Sequence, residues 1–402
     1  MNELTCLLVG LLFFAVTSLS FADKPSGADQ YLTLLNDSLT VSRQQMPAII
    51  ASAEKAAKLI IAGGTIWAGG RQEDFAPEAT ARAGGLMGLK TLDEKSVKKN
   101  DVVLYGIPES FNDDDLKKIQ KWSSEGVQVV AFAARGEKTV LETTVIYTNE
   151  LGGKMGLPIT VGKHHKILPV DTLANIINLW TWTGEFVAAC TRQGKMPVLY
   201  QSYGVPGGIE RAKIYQNKIF HDDLTIKPIK SGLLGSAYLD TIETSLKMIR
   251  KKEIFRIALS ATWWQEAGDE KSRIIAMGHM FPAHFKDSRA PQPSSMEAGT
   301  HQEKIKEKID DCRLILFVGY QYPPQLIASQ AAESDFRLVY LTVQPASPAE
   351  INDRMIYINP YWPLADGCVK VPGYDVTILP ASGVIDAAIY WSILAQRYKI
   401  EK

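Results

Sequence analysis

The chain predicts an α/β protein of two tandem units, each a three-layer α/β/α sandwich around a parallel sheet of about five strands. Three observations carry this expectation. Short β-branched or aromatic runs alternate with longer helical stretches: 101–107 reads as a strand, 113–124 as a helix and 127–133 as a strand again. Strand, helix and strand joined by short loops make a right-handed crossover onto a parallel sheet covered on both faces. The same order of elements then recurs in the second half. The clearest echo is Lys166-Ile-Leu-Pro169 before one long helix and Thr377-Ile-Leu-Pro380 before another, each helix carrying tryptophan (Trp180 and Trp182, then Trp391). A recurrence of this kind points to internal duplication of one α/β unit, with boundaries expected at 28–208 and 209–402.

Taken in order, the first 22 residues read as a secretory leader. Residues 4–19 are apolar apart from Thr5, Thr17 and Ser18, and Ser20-Phe21-Ala22 offers small residues before a cut at Asp23. The run falls short of the ~20 residues that comfortably span a bilayer, and no Lys or Arg precedes it. An uncleaved anchor and a cytoplasmic protein stay open as alternatives to a secreted or periplasmic one.

Residues 30–58 carry helical apolar spacing interrupted near Pro47, and 59–89 form the hub. There a helix closes at Gly63-Gly64, Thr65-Ile66-Trp67 makes a buried strand, and Ala68-Gly69-Gly70 turns tightly. A helix starts near Asp74 and runs to Gly84-Gly85. Strand, glycine loop and helix start aim backbone N–H groups at the loop, although the spacing matches neither a Walker nor a dinucleotide motif. Asn112 is an N-cap followed by Asp113, Asp114 and Asp115 in the first turn. Further on come a strand near 145–148 and a helix over 171–193. In the second half we expect helices at 239–251 and after the loop 261–268. Strands are expected at 255–260, 311–319 and 336–343, with a helix opened by Pro323-Pro324 and a surface loop at 286–303.

Composition narrows the function classes. Of 402 residues, 46% are hydrophobic and 22% charged, with 44 basic against 44 acidic side chains. That balance recommends neither nucleic acid nor an acidic membrane as partner. Cys190, Cys312 and Cys368, outside the leader, have no metal-like spacing, and no cofactor or metal is expected.

The hub residues resemble a known family. Glu78-Ala-Thr-Ala-Arg-Ala-Gly-Gly-Leu86 is similar to the ExxxRAGGL run of SIS (sugar isomerase) domain proteins, which bind phosphosugars. Gly70 falls on the glycine of that family's first loop. Gly106-Ile-Pro-Glu-Ser-Phe-Asn112 resembles its second loop, GISNSGN. Residues 380–389 resemble the entry to its last helix, and 197–208 the tail that follows that helix. The resemblance implies flavodoxin-type winding and a small-molecule carbohydrate derivative as ligand, with self-association open. It also implies ligand-binding positions at Gly70, Arg71, Gln72, Glu109, Ser110, Asn112, Thr262, Trp263 and Ser382.

Both loops depart from the pattern. Arg71-Gln72-Glu73 replaces a small residue and a serine, while Pro108 and Phe111 replace a Ser and a Gly. Three carboxylates at the following helix start satisfy its dipole and repel phosphate. A guanidinium at Arg71 suits carboxylate or phosphate, or equally a surface ion pair. Trp263, in an expected loop, suits either sugar stacking or packing. Isomerase chemistry needs a carboxylate base, for which Glu73, Glu109 and Glu266 are the candidates; among the histidines, His279, His284 and the pair His164-His165 are weaker ones. The expectation is an exported carbohydrate-binding protein, with catalysis open and a catalytically silent site as the first hypothesis. The alternatives are an aldose–ketose isomerase and a two-lobed periplasmic solute-binding protein.

Overall fold

The computed structural model describes residues 25–400 apart from 81, 136–143, 150–155, 277–281, 292–295, 299–311, 321–322, 324–326, 330, 332–335 and 344–352. The expected leader, His279 and Pro324 lie outside the described residues.

Each half begins with two helices in direct succession. In the first they are α1 (Gly27–Gln44) and α2 (Met46–Ile61), meeting at Gln45 just before Pro47. Pro47 sits in the first turn of α2, where the missing N–H costs nothing. The side chain of Gln45 receives the Tyr147 N–H and donates to the Tyr147 carbonyl, tying the junction to the sheet edge. Strands β1 (Ile66–Gly70), β2 (Leu89–Thr91), β3 (Val102–Gly106), β4 (Gln128–Arg135) and β5 (Thr144–Asn149) form one sheet in the order β2-β1-β3-β4-β5, parallel throughout. Between them lie the short helix α3 (Phe75–Thr80) and α4 (Asp113–Ser124). The expected helix from Asp74 to Gly84-Gly85 is therefore shorter, because the segment after it turns away at Gly84, whose φ is +83°.

A hairpin, β6 (Gly156–Val161) with β7 (His164–Pro169), leads into α5 (Asp171–Arg192), a helix buried along almost its whole length. After the connecting helix α6 (Gly208–Ile214), the second half repeats the plan. Helices α7 (Leu233–Lys252) and α8 (Ile254–Ala267) meet at Glu253. Strands β8 (Ser272–Ala276), β9 (Met296–Ala298), β10 (Leu314–Val318), β11 (Arg337–Leu341) and β12 (Met355–Ile358) follow, in the sheet order β12-β11-β10-β8-β9. This is the first sheet's order, again all parallel. The hairpin β13 (Gly367–Val369) with β14 (Ile378–Pro380) precedes α9 (Ser382–Ile400). Both sheets thus have the winding of flavodoxin-like folds, and the two Ile-Leu-Pro echoes are the last strands of equivalent hairpins.

One expectation fails in the second half. Residues 255–260, read as a strand, and the loop 261–268 together form α8. Ile257, Ala261 and Trp264 are buried and Phe255 is 74% exposed. Apolar burial at i, i+4 and i+7 is helical periodicity, and it outweighs the local β-like composition. The strand it displaced lies further on, at Ser272–Ala276.

The halves share one core. Helix α1 packs on α9 and α7, α2 on α5, and α5 on α7. Tyr31 and Leu35 join the same buried cluster as Trp391 and Leu394. The halves also trade backbone hydrogen bonds across equivalent places. The Gly84 carbonyl accepts from Leu379 N–H at 3.0 Å, and the Arg289 carbonyl accepts from Ile167 N–H at 2.9 Å. Each half therefore reaches into the hairpin that precedes the other's long helix. Among the described residues, each five-stranded sheet takes its strands from one half only, which counts against a two-lobed binding protein with strands crossing between lobes.

Candidate functional site

The C-terminal ends of β1 and β3 are where the order of the first sheet reverses, the place at which open α/β sheets bind ligands. Two glycines face one another there. A Cβ on Gly70 would stand 2.2 Å from the Gly106 carbonyl oxygen, and one on Gly106 would stand 2.4 Å from the Phe75 ring. Gly70 also has φ of +123°, which favours glycine. These glycines serve close packing of strand ends, whatever else they do.

Beyond them opens a cleft of about 550 Å³. Its walls are Arg71, Gln72, Glu73 and Asp74 after β1, Pro108 and Glu109 after β3, Thr172 at the start of α5, and His284 with Lys286 to Arg289 from the second half. Of the residues expected to bind ligand, Arg71, Gln72 and Glu109 thus share one wall system, together with Glu73, expected only as a candidate base. Gln72 is locked in place: its amide donates to Asp74 at 2.8 Å and to the Thr172 carbonyl at 2.9 Å, and its oxygen accepts from Asn175. Ser110 gives its carbonyl to Arg71 at 2.7 Å. Asn112 caps α4 in a capping box with Asp115, as its sequence position implies.

The second-half candidates lie elsewhere. Thr262 sits on α8 and bonds back to the Ala258 carbonyl. Trp263, on the same helix, is 7% exposed and lies beneath the Arg337 guanidinium. Glu266 pairs with Arg337. These three are helix residues rather than loop residues, for the periodicity reason given above. Ser382, fully buried, receives a hydrogen bond from Arg82.

Behind the cleft runs a buried chain of charges joining the halves. His284 Nδ1 lies 2.8 Å from Asp74 Oδ2, and its Nε2 lies 2.8 Å from Glu78 Oε2. Glu78 also accepts from Trp180 at 3.0 Å and pairs with Arg82 at 3.4 Å. Arg82 pairs with Asp366 at 3.0 Å, and Asp366 accepts from the Tyr320 hydroxyl at 2.6 Å. Burial works against the His284 cation, but Glu78 and Asp74 overcome it and lift the imidazole to about 9. Burial likewise works against the Glu78 carboxylate, yet Arg82 and His284 hold it at about 2. Both are ionised at neutral pH. An imidazolium donating from both nitrogens is a fixed cation, not a base. Further along, burial pushes the Asp386 carboxyl well above the usual carboxylate range, although its Oδ1 accepts from Trp362.

At the cleft mouth Arg289 binds Asp171 through two bonds of 2.6 and 2.8 Å and also binds Asp287. Glu109 stands 3.6 Å from it. Burial raises Asp171 to about 6 despite Arg289. Asp74, Asp171 and the Lys286–Arg289 strap were not placed at the site from sequence, and His284 stood only among the weaker catalytic candidates. The strap's contacts span more than a hundred residues of chain, and its composition resembles any surface loop.

No protein-family model matches the chain, and no curated protein does. Solved structures similar to it include a candidate sugar binding protein from Salmonella typhimurium LT2, at 10% identity and TM-score 0.48, covering 91% of this chain and 98% of the other. The C-terminal domain of glucosamine-fructose-6-phosphate aminotransferase from Francisella tularensis aligns at 10% identity and TM-score 0.47, over 90% and 96% of the two chains. A candidate phosphosugar isomerase from Silicibacter pomeroyi DSS-3 aligns at 9% identity and TM-score 0.46, over 94% and 98%. The α/β/α fold of this chain stands on its own two identically wound sheets.

Proposed function

We propose that the chain is a carbohydrate-binding protein whose ligand sits in the cleft over β1 and β3, without chemistry being done on it. The observation that carries this is the cleft's position at the sheet's switch point, with polar walls from both halves. Names borne by similar structures, among them sugar binding and phosphosugar isomerase, agree with a sugar ligand. What supports a silent site is His284, lifted to about 9 between two carboxylates, so that at neutral pH both ring nitrogens donate and neither is left to open a sugar ring. We further propose that residues 1–22 are an export leader removed before Asp23.

The binding test is calorimetry and thermal shift against a panel of monosaccharides and their phosphates. Stabilisation grows with ligand concentration as RT ln(1 + [L]/Kd), and Glu109→Gln is expected to weaken binding about tenfold. If no carbohydrate shifts the melting temperature, the proposal fails. A second function is favoured by one observation: Glu73 and Glu109 both face the cleft, so either could carry a proton between adjacent sugar carbons in an isomerase. Exchange of the C2 proton into deuterated water for a bound sugar would establish that isomerase. Amino-terminal sequencing of the exported protein checks the leader.

A further inference from the structure

We infer that the cleft takes an unphosphorylated carbohydrate, and that Asp115 is the residue that sets this specificity by occupying the anion position itself; this rests on the carbohydrate-binding proposal above. A helix start beside a sheet's switch point ordinarily attracts an anion, through free backbone N–H groups and the helix dipole. At α4 that place is taken from within. The Asp115 carboxylate, with its side chain fully buried, accepts from Arg71 Nε at 2.8 Å, from Asn112 N–H at 3.0 Å and from the Tyr105 hydroxyl at 3.1 Å. A guanidinium, a backbone amide and a hydroxyl around one carboxylate make the donor set a phosphate would want.

The cleft's other cations are engaged in the same way. Arg289 is matched to Asp171 and Asp287, and His284 to Asp74 and Glu78. Three cations therefore face five carboxylates once Asp115 is included, and Glu73 and Glu109 add two more at the walls. Lys286 adds one exposed cation. A phosphate dianion entering here would have to displace a built-in carboxylate or sit among several. A neutral, hydroxyl-bearing ligand meets abundant acceptors and no such repulsion.

The experiment compares matched pairs, glucose with glucose 6-phosphate and glucosamine with glucosamine 6-phosphate, by calorimetry on the whole protein and on Asp115→Asn. Asparagine keeps an acceptor for the Asn112 N–H, and a melting curve verifies the fold. In the wild type the unphosphorylated member of a pair should bind at least about tenfold tighter. In Asp115→Asn, Arg71 loses its counter-charge and the ratio should move toward the phosphate by about tenfold or more. Phosphate binding as tight as its parent sugar in the wild type, or an unchanged ratio in the variant, overturns the inference and leaves carbohydrate binding standing. Binding of no member of either pair overturns both. Should Asp115→Asn not fold, Arg71→Gln reads the same inference from the other side: it leaves the Asp115 carboxylate without its guanidinium, so the preference for the unphosphorylated member should grow by about threefold or more, and an unchanged ratio overturns the inference.

Discussion

The C-terminal edges of the two sheets are built alike and finished differently. Over the first, Pro108 and Glu109 follow β3 and a cleft of about 550 Å³ stands open. Over the second, Tyr320 follows β10, and its hydroxyl donates to Asp366 and lies 3.4 Å from the Ser382 hydroxyl; Arg82 donates to both of these, and all three are fully buried. In each case the other half supplies the covering segment: the Lys286–Arg289 strap over the first edge, Arg82 over the second. Where the incoming cation stays partly exposed, as Arg289 does, it frames a site. Where it is driven inward between Glu78 and Asp366, it becomes part of the core. The same placement can thus serve binding or cohesion, and depth of burial decides which.

The largest effect that can break this comparison is at Arg82. Arg82→Met removes the cation between two fully buried carboxylates, and leaving buried charge unmatched costs ~3–5 kcal/mol. Denaturant unfolding should register that loss with ligand affinity changed little in the fraction that folds. A loss under about 1 kcal/mol would mean that the second edge is not held by this residue. Next comes Gly70→Ala, where positive φ and a 2.2 Å approach to Gly106 predict a cost of ~2 kcal/mol or more, read the same way.

His284 gives a pH test on the boundary between the two edges. Its imidazole is raised from 6.5 to about 9, so its contribution is fully present below pH 6.5 and is lost as pH rises through about 9. Stability should fall across that window by an amount on the order of 1–3 kcal/mol, and His284→Gln should flatten the slope. Glu78, held at about 2 from 4.5, acts in the opposite sense: its contribution is present above pH 4.5 and lost as pH falls through about 2. The smallest effect sharpens the site's limits. Glu266→Gln breaks a pair between exposed groups, so stability should change by less than about 0.5 kcal/mol. Ligand affinity should not change at all, and a clear loss would bring α8 back into the site.

Much of the frame was legible along the chain. The alternation of strands and helices, the Asn112 cap, the long helix at 171–192 and the echoed Ile-Leu-Pro runs all leave local signals in spacing and residue type, while the winding of the sheets came only with the family resemblance. Helix α8 did not, because Phe255 and Ile257 look like a strand until burial shows which side of each faces inward. The site was half legible. Arg71 to Glu73 and Glu109 sit in loops that follow recognisable strands. Asp171 and His284 meet their partners only after the halves come together. The role of Glu78 and Arg82 was hidden for the same reason: four residues apart on paper, they pair with His284 and Asp366 some two hundred and nearly three hundred positions away. Long-range ion pairs have no sequence period.

The reciprocal backbone bonds, Gly84 with Leu379 and Arg289 with Ile167, bear on how this protein could be taken apart. A chain cut in the connecting stretch near 208 would yield fragments that each lack a neighbour's strap and carry bare halves of a buried ion pair. Neither piece should be soluble and ordered alone. Expressed together, they should find one another and restore the melting transition, because the surfaces missing from each are the ones the other presents. The connecting stretch would then be a tether that raises local concentration, and the folding unit would be the pair.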